Sequence, residues 1–119
     1  MPDGKICYVE IPANDVAASA RFYADVFRWS VRTRGDGSTA FDDTTGGVSG
    51  TWVLGRSPHR PSGMMTYIMV DSVEDTLRRI TAAGGKVATP VERMRKGEAI
   101  ASFEDPAGNV FGLYQQSGA

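Results

Sequence analysis

Tyr8-Val9-Glu10-Ile11-Pro12-Ala13-Asn14-Asp15, continuing as Val16-Ala17-Ala18-Ser19-Ala20-Arg21-Phe22-Tyr23, is the stretch on which the fold turns. From Ile6 to Ala13 the chain is rich in β-branched and aromatic residues, which predicts a strand, and Pro12 marks an edge or exit position. Asn14-Asp15 then offers a side-chain oxygen to the orphan N–H groups of a helix. Val16, Ala20, Tyr23 and Phe27 recur at helical spacing, widened by Phe22 and Val26, so a helix is expected over 16–27.

Working outward, Trp29 to Arg34 leads to a turn at Gly35-Asp36-Gly37-Ser38, and Thr39 to Asp43 is a short strand. Gly46-Gly47 turns the chain, and Val48 to Leu54 is the next strand. Residues 56–62, with Pro58 and Pro61, read as a linker. The order then restarts. Met64 to Val70 is a strand, Asp71-Ser72 a cap, and Val73, Leu77, Ile80 and Ala83 the apolar face of a helix stopped by Gly84-Gly85. Lys86 to Thr89 is a strand, Pro90 begins a loop, and Glu98 to Phe103 and Val110 to Gln115 are strands around the turn Asp105-Pro106-Ala107-Gly108-Asn109. The tail from Gln116 is expected to fray.

Laying Ile11 on Ile68 also lays Ala13 on Val70, Asp15 on Ser72, Val16 on Val73, Ala20 on Leu77 and Tyr23 on Ile80. Strand, cap and helix face coincide, although identities are few. The expectation is an α+β fold built as two βαβββ modules, the first over about 5–55 and the second over about 63–116, within one domain, 1–119. A module of about 55 residues is marginal alone. Each must cover its sheet face with another module, from the same chain or a second copy.

Composition narrows the function. The 119 residues hold 13 Lys+Arg against 14 Asp+Glu, a balance that argues against a nucleic-acid partner. Arg56, His59 and Arg60, and Arg93, Arg95 and Lys96, read as solvated loops. The single cysteine, Cys7, excludes an intrachain disulfide and a CxxC pair. No apolar run is long enough for a membrane span and the start lacks a signal-peptide pattern, so a cytoplasmic location is expected. His59 is the only histidine, in a linker, and reads as a surface residue.

These segments resemble the vicinal oxygen chelate superfamily, the glyoxalase/bleomycin resistance protein/dioxygenase fold. Carrying the resemblance are 8–15, Arg21-Phe22-Tyr23, Val26-Phe27-Arg28-Trp29, Tyr67 to Val73, Ala82 to Val87, and Asp105 to Tyr114, spread from about Lys5 to Gln115. The resemblance implies two modules whose sheets form incomplete barrels around a cleft, and a homodimer. It also implies, in metal-dependent members, a histidine on the first strand of each module and carboxylates on the last strands. Here those positions fall on Tyr8, on Met65, on Gly112 and near Thr51 and Trp52, and all four depart from the pattern. A divalent ion needs three or four converging N or O donors, and these residues do not supply them. The expectation is therefore no metal and no cofactor. Glyoxalase I and extradiol dioxygenase chemistry, which rest on that metal, are not expected.

Strand alternation places Ile6, Glu10 and Pro12 with Tyr8 if Tyr8 faces the cleft. Glu10 in such a place is a candidate general base, its pKa raised by desolvation; its plain alternative is a structural or rim carboxylate. Tyr8 is a candidate proton or hydrogen-bond donor, or a packed aromatic. Met65 is expected to line the cleft, while Tyr67 and Met69 could line it or fill the core. Phe41 and Trp52 could stack a flat ligand or be core. Glu98 could stand at the cleft mouth or simply be exposed, and Phe111 and Tyr114 face opposite sides. The reading is metal-free binding of a small, partly aromatic molecule in a homodimer cleft, with Tyr8, Glu10, Phe41, Trp52, Met65 and Tyr67 as ligand contacts. The alternative is a metal-independent isomerase, epimerase or lyase using Glu10 and Tyr8; a third is an accessory domain without chemistry of its own.

Overall fold

Asp15 is extended and its carboxylate accepts the Ala18 N–H, so the first helix starts at the next residue, α1 (Val16–Phe27). Ser72 repeats the device, accepting the Asp75 N–H at the head of α2 (Val73–Ala82). The computed structural model describes residues 3–116; of the tail expected to fray from Gln116, residues 117–119 lie outside the described residues, as do 1–2. Around the helices run β1 (Tyr8–Pro12), β2 (Ser30–Thr33), β3 (Thr39–Asp42), β4 (Ser49–Val53), β5 (Tyr67–Val70), β6 (Lys86–Arg93), β7 (Ala99–Glu104) and β8 (Val110–Gln115).

The strands form two four-stranded mixed sheets, ordered β1-β4-β3-β2 and β5-β8-β7-β6. In each, the first strand pairs parallel with the last, and the others are antiparallel. The architecture is the α+β pair of βαβββ modules, as open sheets, with the chain dividing into compact units between Ser57 and Pro58.

In the first unit α1 buries Phe22, Tyr23 and Val26 against one sheet face. Ile11 stands opposite Trp52, and Phe41 opposite Gly50, so these side chains share the helix-facing side. The rings interlock: Tyr23 stacks on Trp29 with centroids 4.8 Å apart, Trp29 on Phe41 at 4.6 Å, and Phe41 leans on Trp52 at 4.9 Å. Burying each such side chain is worth roughly 1.5–3 kcal/mol. In the second unit Val73, Leu77 and Ile80 of α2, with Phe103, Phe111 and Leu113 of the sheet, are among its buried apolar residues.

The hairpins repeat as well. Asp43 accepts N–H groups from Thr45, Gly47 and Val48 in the β3–β4 turn. Asp105 accepts those of Ala107 and Asn109 in the β7–β8 turn.

Three expectations need correction. The strand expected from Met64 begins at Tyr67, which leaves Met65 ahead of it. Pro90 does not begin a loop: β6 runs on to Arg93, because it is an edge strand and its register shifts between Val87 and Glu92 accommodate a residue with no N–H. His59, read as a surface residue, is tied into the second unit: it donates its N–H to the Asn109 side chain at 2.7 Å and its carbonyl accepts the Val110 N–H at 2.8 Å. His59 itself is half-buried, its ring 5.7 Å from that of Phe111.

Candidate functional site

Each sheet spends one face on its helix and leaves the other open. Opposite Ile11 and Trp52, alternation puts Tyr8, Glu10, Thr51 and Arg32 on the open face of the first unit. That face is polar and internally paired. Arg34 donates to the Tyr8 hydroxyl at 2.5 Å, with its guanidinium 5.5 Å from the ring centroid, a cation–π placement. Arg56 pairs with Glu10 at 2.8 Å, and Arg32 pairs with Asp42. The Thr51 hydroxyl donates to the Thr39 carbonyl at 2.5 Å.

Tyr8 and Glu10 are thus brought onto one face, as alternation indicates. Glu10, however, has 43% of its side chain exposed and carries a cationic partner. The apolar desolvation that a general base would need is not present within its unit. Phe41 and Trp52 are not brought to that face. They are 1% and 4% exposed and belong to the ring cluster under α1. Of the two readings, ligand contact or core, they take the core one, because the β1–β4 and β3–β4 registers set them on the side opposite Tyr8.

The open face of the second unit has another character. Tyr67 stands opposite Gly112, Met69 opposite Tyr114, and Tyr114 in turn opposite Ile100. The Tyr67 ring lies on Gly112 so closely that a Cβ there would meet it at 2.5 Å. Tyr67 and Met69 remain 49% and 64% exposed. Between this surface and the edge strand β6 lies a concavity of about 450 Å³, lined by Met65, Tyr67, Thr89, Glu92, Ile100 and Ser102 together with the 90–91 segment and Ala101. The Thr89 and Ser102 hydroxyls hydrogen-bond to each other at 2.7 Å in its wall. Tyr114 donates its phenol to Glu98; that bond, with desolvation and the carboxylate's charge, pushes the Tyr114 pKa up from its ordinary value.

Met65 and Tyr67 therefore meet in one concavity, whereas Thr89, Glu92, Ile100 and Ser102 were not anticipated. The β7 alternation Ile100, Ser102 against Ala101, Phe103 carries a signal for two of them. The others were hidden because Pro90 suggests that the strand has ended.

The residues at the metal positions implied by the family resemblance do not fit a resident divalent ion. Gly112 has no donor, and the Tyr67 ring fills the space above it. Met65 offers a soft thioether. The Tyr8 oxygen already faces the Arg34 cation, and the Thr51 hydroxyl is spent on the backbone. Among the described residues no three His, Cys, Asp or Glu side chains gather to hold an ion.

A fungal relative, the glyoxylase-like domain-containing protein of Didymella fabae, is 30% identical over 97% of this chain and 96% of its own length. The anthracycline biosynthesis protein DnrV of Streptomyces peucetius is 28% identical over 95% of this chain. The chain spans about half the length of several curated relatives it matches, 47% for DnrV and 44% for mycobacterial proteins. The crystal structure of a glyoxalase-related enzyme from Fulvimarina pelagi superposes with a TM-score of 0.75 at 21% identity, covering 95% of this chain and 88% of the other, which supports the fold. The model of the Glyoxalase/Bleomycin resistance protein/Dioxygenase superfamily matches residues 5–113. Matched over nearly its whole length, with the duplicated βαβββ topology in both halves, the chain belongs to the Glyoxalase/Bleomycin resistance protein/Dioxygenase superfamily.

Proposed function

We propose that this chain binds a small, partly aromatic molecule without the help of a metal ion, in the cleft of a homodimer. The observation that carries the reading is the concavity on the open face of the second unit, where Tyr67, Met65 and Ile100 provide apolar walls and Thr89 and Ser102 a polar one. Its volume of about 450 Å³ suits a small ligand. An aromatic ring and thioethers are surfaces on which a flat molecule gains contact at little ordering cost. The unfitted donor positions support binding without an ion. The similarity to DnrV, a protein of anthracycline biosynthesis, is consistent with a small-molecule ligand. Exposed Tyr67 and Met69 support burial of the open face in a dimer.

Acid–base turnover by Glu10 and Tyr8 has the shared face in its favour and the Arg56 pairing against it. Isothermal titration with 2-naphthylmethanol, a neutral partly aromatic probe, tests the binding reading. A saturable isotherm with Kd below about 1 mM is expected, weakened about tenfold or more by Tyr67→Ala. An unchanged Kd in Tyr67→Ala, or affinity weaker than that limit for this alcohol and equally for its amine and carboxylic acid counterparts, would overturn it.

A further inference from the structure

Glu92 separates this concavity from a merely greasy one. It lies on β6 opposite Ile100 and is the one charged residue among those lining the space. Arg93, its neighbour, projects to the other side of the strand and pairs with Glu74 of α2 at 2.8 Å. Across the same sheet face Glu98 is occupied as the acceptor of the Tyr114 phenol. Arg60 is drawn off to Glu104 at 3.0 Å. Glu92 is exposed, and no ion pair to it occurs among the described residues. Next to it stand the hydroxyls of Thr89 and Ser102, and beyond them the apolar surface of Tyr67, Met65 and Ile100.

We propose that the ligand of this concavity is a cation: a partly aromatic molecule carrying a protonated amine, whose ammonium pairs with Glu92 while its ring rests on Tyr67 and Ile100. This rests on the reading of the chain as a small-molecule binder and narrows the ligand class. Three features converge on it. A carboxylate with no internal partner attracts a cation at the mouth of an apolar space, where the effective dielectric is below that of water. The hydroxyl pair can accept from a second N–H of the same amine or meet a ligand oxygen. An anionic ligand would meet Glu92 and Glu98 on one face with no free cation in the lining.

Three probes sharing one ring system separate the ideas: 2-naphthylmethylamine, 2-naphthylmethanol and 2-naphthoic acid, titrated calorimetrically into the full chain near neutral pH. The amine is expected to bind about tenfold tighter than the alcohol, and the acid weakest. The amine's advantage should shrink as salt rises from roughly 50 to 500 mM, because the pair is reached by solvent. Glu92→Gln, on an exposed edge strand, should remove the amine's advantage, so that amine and alcohol bind this variant within about twofold of each other. If the alcohol binds as tightly as the amine, or if Glu92→Gln leaves the preference intact, the cation proposal is overturned and the broader binding reading stands. If none of the three binds tighter than about 1 mM, both are overturned.

Discussion

Arg28 closes α1 with φ of 64°, giving its N–H to the Ala24 carbonyl in the left-handed conformation that glycine adopts without cost. A side chain there is strained by about 1 kcal/mol, partly offset by the smaller entropy that arginine loses on folding. Arg28→Gly is expected to raise stability by about 0.5 kcal/mol, seen as a higher urea midpoint; a lower midpoint would show that the Arg28 side chain makes an unrecognised contribution. Gly50 is the reverse case. A Cβ there would lie 1.9 Å from the Val9 carbonyl oxygen and 2.8 Å from the Phe41 ring. Gly50→Ala should cost about 1–3 kcal/mol in the same measurement, and a neutral effect would contradict the close β1–β4 approach. At this scale, the shared face of Tyr8 and Glu10 was legible because alternation along one strand needs no partner. The placing of Phe41 and Trp52 was not: which face they take depends on the registers Ile11 to Trp52 and Phe41 to Gly50, and register is set across strands, not along one.

Among the elements, the two hairpin turns are the most alike, each closed by an aspartate that satisfies backbone N–H groups. Burial pushes the Asp43 carboxyl up, but N–H bonds from Thr45, Val48 and Gly47 and the Thr45 hydroxyl outweigh it and hold the pKa below the ordinary 3.8. A folded pKa lower than the unfolded one contributes stability that is present above the unfolded value and lost as pH falls through the folded one. Chemical denaturation from pH 7 down to about 2.5 should therefore show wild type losing its advantage over Asp43→Asn below about pH 4. An advantage constant across that range would mean that the carboxylate charge does not matter to the turn. The order of elements was readable, since caps at Asp15 and Ser72 and two helical stripes mark both copies. The length of β6 was not, because proline reads as an ending and only the bulged edge position makes it tolerable.

For the whole molecule, the decisive fact is that each sheet covers one face with its helix and, within its own unit, leaves the other without a helix, in one unit charged and paired, in the other an aromatic and thioether surface beside Glu92 and two hydroxyls. The duplication and the need to cover these faces could be inferred from residues alone, together with the family. Where the ligand surface lies could not, because it depends on Tyr67 settling over Gly112 and on an edge strand continued past Pro90. Light scattering on the purified chain at micromolar concentration should give twice the 12.8 kDa of one copy. A strictly monomeric mass would remove the dimer from the account.

The central claim, binding without a metal, is tested most directly by calorimetric titration of 2-naphthylmethanol into chelator-stripped protein, repeated after adding back zinc or nickel. The account predicts saturable binding with Kd below about 1 mM in the stripped protein and the same affinity after add-back. Binding that vanishes on stripping and returns with one tightly held ion per chain would contradict it.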